Sequence, residues 1–120
     1  MPTVITRPVT VAAAGDPPKT IREYIGRAST ETSDVSIAWM QSPPGWSEPA
    51  QRPDFDEYTI VIDGSLSVEH DDGTTVVRAG EAIAVSAGER VRYSTPDGAQ
   101  YLAVCLPAFA PDIVHRDDEG

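Results

Sequence analysis

Few residues in this 120-residue chain are of types that do chemistry, and most of them stand alone. Cys105 is the one cysteine, and the two histidines, His70 and His115, lie far apart. A divalent metal needs about three imidazole, thiolate or carboxylate donors. Two scattered histidines are more often surface residues than ligands. Cys105 has no histidine placed to activate it, so it reads as a small buried hydrophobe rather than a nucleophile. The richest stretch runs from Gly45 to Gly64. It opens as a turn (Pro43-Pro44-Gly45) and passes through a polar, proline-broken segment that carries Gln51, Pro53, Asp54 and Asp56. Glu57 then stands at the head of an apolar run that stops at Asp63-Gly64. Asp54 and Asp56 flank this run as solvated rim charges.

The elements that must position these groups are short strands. Residues 57–62 read as a strand that turns through Asp63-Gly64, a two-residue hairpin signal, into residues 65–70. Asp71-Asp72-Gly73 turns the chain again. Strands follow over residues 74–78, 81–85, 90–94 and 99–106, with Gly or Pro at every break and Pro107 as the stop. Before the central stretch, residues 35–41 alternate as a strand does. Residues 20–28 are ambiguous between strand and helical turn; the contrast of Ile21, Tyr24 and Ile25 with Arg22 and Glu23 favours a turn. Residues 3–13 are rich in β-branched residues, but Pro8 bars a central strand, leaving an edge strand or an arm on another subunit. The C-terminal string from His115 reads as frayed. This spacing specifies an all-β sandwich or barrel.

The formal charge of -10 repels a phosphate backbone and an anionic membrane surface, so neither is expected as a partner. One cysteine excludes an internal disulfide framework. No apolar run approaches the ~20 residues of a membrane span, and the N-terminus lacks a signal-peptide core. A single cytoplasmic domain over residues 1–120 is expected, with its barrel core over about 35–107.

The spacing of the central stretch resembles the first motif of the cupin superfamily: Gly, five residues, His-x-His, three residues, Glu, six residues, Gly. Gly45, Glu57 and Gly64 fall on their places, while Gln51 and Pro53 stand where the histidines would be. A later cupin motif (Gly, five residues, Pro-x-Gly, two residues, His, three residues, Asn) is kept in spacing by Gly80, Ser86-Ala87-Gly88, Val91 and Thr95. The likeness covers roughly residues 35–107. It implies a small antiparallel jelly-roll barrel of two sheets, with packed N- and C-terminal segments and a homodimer as the expected assembly. A looser similarity points to the ethanolamine-utilisation and ureidoglycine-aminohydrolase-like cupins.

In cupins three histidines and the glutamate converge on a metal. Of those four places this sequence keeps only Glu57, so the resemblance implies a barrel without metal and without another cofactor. Glu57 would then point into the cavity, where burial raises a carboxyl pKa towards the range of acid/base catalysis. The competing reading is a polar residue hydrogen-bonded to Gln51 or Tyr93. Residues two apart in a strand share a face, which groups Tyr93 with Val91, Gln41 with Trp39 and Ile37, and Cys105 with Ala103 and Tyr101. Glu57 and Tyr93 are the expected catalytic residues; Gln51, Gln41, Trp39 and Cys105 are the expected substrate-binding ones. Arg90 and Arg92 alternate outward. Three functions stay open: a metal-independent isomerase, lyase or cyclase acting on a small polar molecule; a non-catalytic binding or sensor cupin; and a metal-dependent enzyme in which His115 folds in from the tail.

Overall fold

The computed structural model describes residues 2–117. Its strands are β1 (Val9–Val11), β2 (Thr20–Ile25), β3 (Ser36–Ser42), β4 (Trp46–Ser47), β5 (Asp56–His70), β6 (Gly73–Arg78), β7 (Ala82–Val85), β8 (Arg92–Thr95) and β9 (Ala99–Leu106). A single 3-10 turn, Pro111–Ile113, follows. All pairings between named strands are antiparallel. One sheet has the order β1-β2-β3-β9-β5-β7, and the other pairs β6, β5, β8 and β4. This is an all-β barrel of two sheets, as expected. No helix among the described residues is long and apolar enough to cross a membrane.

The fold turns on β5, which belongs to both sheets. Residues 56–64 pair with β9, and residues 57–60 also pair with β7. Residues 65–70 pair with β6, and residues 67–69 also with β8. Asp63-Gly64 is therefore not the expected hairpin. The two halves of the run find different partners, and the glycine bends one continuous strand from one sheet into the other. A register shift sits between Val61 and Asp63, and Gly64 has φ 76°, as at a bulge. A Cβ at Gly64 would stand 2.2 Å from the Gly98 carbonyl oxygen.

The other expected turns hold. Gly73 starts β6, Pro107 follows the end of β9, and β1 lies at a sheet edge just after Pro8. Residues 20–25 are a strand, against the expected helical turn. Hydrogen bonding to β1 and β3 on either side overrides the local pattern, and a bulge between Glu23 and Ile25 produced the irregular apolar spacing that suggested a turn. The tail is also not frayed as far as Asp117. Asp54 N–H donates to Ile113 O, Arg52 N–H to His115 O, and Asp117 N–H to Ala50 O, at 2.8–3.1 Å. The remainder of that string, residues 118–120, lies outside the described residues.

Two apolar clusters fill the interior. The larger contains Trp46, Val61, Leu66, Val68, Tyr93 and Tyr101. The smaller joins Phe55, Cys105 and Val114, with Phe109 edge-on to Phe55 at 6.0 Å.

Candidate functional site

Both clusters contribute walls to an interior cavity of about 70 Å³. Strand alternation decides which side chains reach it. On β9, Tyr101, Ala103 and Cys105 point inward. Their partners on β3 are Met40, Ala38 and Ser36, which share that face. Glu57 and Thr59 enter from β5, and Tyr93 enters from β8.

Glu57 lines the cavity from β5. It keeps some accessible surface because it lines the cavity, yet protein surrounds it on all sides. The Tyr93 hydroxyl donates to its Oε1 at 3.2 Å. Burial, reinforced by repulsion from Glu48, raises its pKa to about 7; Lys19, the Tyr93 hydrogen bond and Arg116 pull the other way. Burial and the Glu57 charge push the Tyr93 hydroxyl and the Cys105 thiol upward. Cys105 is thus held as a thiol, in keeping with its reading as a small hydrophobe.

The site also holds charges that do not stand on the motif's ligand places. Lys19 lines the cavity, with Nζ 4.1 Å from the Trp46 ring centroid and 3.4 Å from the Tyr101 hydroxyl. Its position follows from a bridge between Asp16 and Ser47, with reciprocal backbone bonds of 2.9 and 3.1 Å, immediately before β2 begins. Burial lowers the Lys19 pKa, against the opposing pull of Glu48 and Glu57. Glu48 is buried, its pKa raised by that burial, and it meets Arg116 at 3.7 Å. Arg116 is carried in by the tail, which bridges Gln51. Gln51 Oε1 and Arg116 Nε are both buried without a hydrogen-bond partner among the described residues. Glu23 lines the cavity too, but its Oε2 accepts from the Ala28 and Ser29 N–H groups, both at 2.9 Å.

The structure brings Glu57, Tyr93, Gln51 and Cys105 together, as expected. It does not bring in Trp39 or Gln41. Both lie on the outer face of β3, where Trp39 Nε1 donates to Gln100 Oε1 at 3.2 Å and Gln41 is exposed. The reason is steric: a cavity needs small inward side chains, so Ser36 and Ala38 face in and the bulky Ile37 and Trp39 face out. Lys19, Glu48 and Arg116 were missed. Lys19 had a signal, since it is the only lysine beside eight arginines. Arg116 had none, because a charged tail looks the same whether it packs or not.

The donors do not fit a cupin metal centre. Gln51 and Glu57 line the cavity, but Pro53 and Val91 carry no donor, and Val91 is packed in the apolar core. His115 does not fold in; its Nε2 meets Asp54 Oδ2 at 2.7 Å on the surface. His70 bonds Thr75 Oγ1 at an exposed hairpin. Among the described residues, no three His, Cys, Asp or Glu side chains gather where a metal could be held.

A family model described as Ethanolamine utilisation protein EutQ matches residues 45–110, more than half of the chain. The chain belongs to the EutQ family, within the cupins. A Myxococcus xanthus protein named Endoribonuclease YbeY is 45% identical over 105 residues, spanning 85% of this chain and 35% of that one. A Salmonella typhimurium protein named Acetate kinase EutQ is 32% identical over 54 residues, 45% of this chain and 24% of that one. This EutQ-family chain thus spans about a third or less of the length of these relatives. Among solved structures, the polyketide cyclase RemF from Streptomyces resistomycificus aligns over 100% of this chain and 87% of its own, with TM-score 0.76 and 19% identity. That likeness concerns the fold.

Proposed function

We propose that this chain acts on a small polar organic molecule held in the barrel cavity, with Glu57 moving a proton and no metal required. The observation that carries the reading is an enclosed carboxyl with a pKa of about 7, fixed through one oxygen by Tyr93. A base with that pKa can both take and return a proton near neutrality. Tyr93 orients Oε1, and Oε2 makes no hydrogen bond among the described residues, so it is free to face a substrate. Glu57 removes a proton from a carbon beside a carbonyl, and the negative charge that develops on the carbonyl oxygen is met by Arg116, which lines the same cavity. Return of the proton to a different atom is an isomerisation; expulsion of a leaving group is a lyase step. The free Gln51 Oε1 accepts a hydrogen bond from a substrate hydroxyl or amide.

The cavity volume limits the molecule to a few heavy atoms. The name of the Salmonella relative adds acetate to the compounds worth trying, since Arg116 lines the site. The test is deuterium exchange from D2O into a panel of small ketones, aldehydes and keto acids at pH 7, followed by NMR. Glu57→Gln is expected to slow exchange by about 100-fold or more while binding persists. A compound that binds but never exchanges, and whose affinity alone responds to Glu57→Gln, would establish a non-catalytic binding protein instead.

A further inference from the structure

Nine side chains of this sequence are lysine or arginine, and eight are arginine. The exception, Lys19, lines the cavity with Glu57, as Arg116 also does. The distinction is chemical. Arginine stays charged at any physiological pH, whereas a lysine amine can lose its proton and attack an electrophile. Lys19 makes no ion pair among the described residues. Its Nζ is held over the Trp46 ring and beside the Tyr101 hydroxyl, on a wall shared with Val11, Ile21 and Met40. Burial of this kind disfavours the ammonium, against the pull of Glu48 and Glu57 in the same cavity.

We propose that Lys19 is a nucleophile that forms an imine with a small aldehyde or ketone bound in the cavity. This rests on the proton-transfer reading of Glu57 and names its substrate class. The Nζ lone pair forms a C–N bond to the carbonyl carbon, and the C=O π pair moves onto oxygen, which takes a proton from the Glu57 carboxyl. The surplus proton on nitrogen returns to Glu57. The same carboxyl then protonates the hydroxyl, which leaves as water while the nitrogen lone pair forms the C=N bond. One amine, one carbonyl and the Glu57 proton give one protonated imine, one water and the Glu57 carboxylate, with no oxidant or reductant. The positive nitrogen acidifies the adjacent C–H, which supplies the proton that Glu57 removes.

The groups facing Lys19 agree with this. Burial, helped by Arg116, outweighs the pull of Glu48 and Glu57 on its proton, so its pKa falls. Tyr101 and Tyr93 stay protonated, since burial raises both, as it does the Cys105 thiol. The Glu23 carboxylate is turned to its own loop.

Imine trapping tests the proposal. The whole chain is incubated at pH 7 with acetaldehyde and sodium cyanoborohydride, with Nα-acetyl-lysine amide in the same tube as an exposed-amine standard, and alkylation of residue 19 is followed by peptide mass spectrometry. The proposal expects Lys19 to react at least tenfold faster per amine than the standard. Any slower rate, including no reaction, overturns it. Lys19→Arg keeps a long side chain beside the Trp46 ring but has no nucleophilic amine, and is expected to fold with an unchanged circular dichroism spectrum and to lose C–H exchange. Retained exchange in that variant would also overturn the proposal. The two readings fail separately. If Lys19 is unreactive but Glu57→Gln stops exchange, only the imine is wrong; if Lys19 traps and Glu57→Gln changes nothing, the Glu57 role is wrong.

Discussion

The Tyr93 hydroxyl donates to Glu57 Oε1 at 3.2 Å, and this bond crosses the interior from one sheet to the other. Tyr93 stands on β8, which pairs with the second half of β5, while Glu57 stands in the first half, paired with β7 and β9. The two residues are 36 positions apart in sequence. The bend at Gly64 is what lets one strand carry the carboxylate in one sheet and align the tyrosine's strand in the other.

Glu57 makes stability depend on pH. Its folded pKa of about 7 lies above the ordinary carboxyl value of 4.5, so between those pH values the folded chain holds a proton that the unfolded chain has lost. The contribution is fully present below pH 4.5 and is lost as pH rises to about 7. Glu57→Gln cannot ionise and still accepts from Tyr93. Relative to wild type, it is expected to gain roughly 2–3 kcal/mol between pH 4.5 and pH 8. Urea melts of both proteins at the two pH values measure this; equal differences at both would rule out a raised Glu57 pKa.

Tyr93→Phe removes the donor that favours the Glu57 carboxylate. The Glu57 pKa is then expected to rise, moving the alkaline-going limb of any activity profile to higher pH. The stability loss should be about 1 kcal/mol. An unshifted profile would mean that the hydrogen bond does not act on Glu57 in solution.

Gly64→Ala tests the bend. The added Cβ would meet the Gly98 carbonyl oxygen at 2.2 Å, at a residue whose φ is 76°. A loss above about 2 kcal/mol is expected from clash and strain together. Gly80→Ala is a comparison in open space, with φ 87° but no atom within 4 Å, and should cost less. Equal losses in urea melts would show that backbone conformation alone, and not the close strand crossing, matters at Gly64.

The expected homodimer has a surface that suits a second copy of this chain. Tyr58, Ile60 and Ile62 are 43–45% exposed on the outer face of β5. Their cross-strand neighbours Leu102, Val104, Ala82 and Ala84 are also uncharged. Two chains of charge -10 meet with least repulsion on such a patch. Sedimentation equilibrium is expected to give twice the chain mass for wild type and the single chain mass for Ile60→Asp. A wild-type monomer, or an unchanged Ile60→Asp dimer, would reject this face.

The sequence by itself determined the strand breaks other than Asp63-Gly64, the barrel and the place of Glu57. Each depends on local rules: glycine and proline at turns, side chains alternating in strands, and a motif whose spacing survives the loss of its ligands. Alternation has two phases, however, and nothing local says which phase points inward. On β3 that was decided by pairing with β9, which turned Ala38 inward and put Trp39 and Gln41 outside. Whether Asp63-Gly64 reversed the chain or bent it depended on strands arriving later in the sequence, because the two halves of β5 pair with different partners. The charges around Glu57 were settled last and at longest range: Lys19 meets Tyr101 across 82 positions, and Arg116 is brought in by the tail. Burial and charge act through space, so tertiary structure alone decided which carboxylate, amine and guanidinium share the cavity.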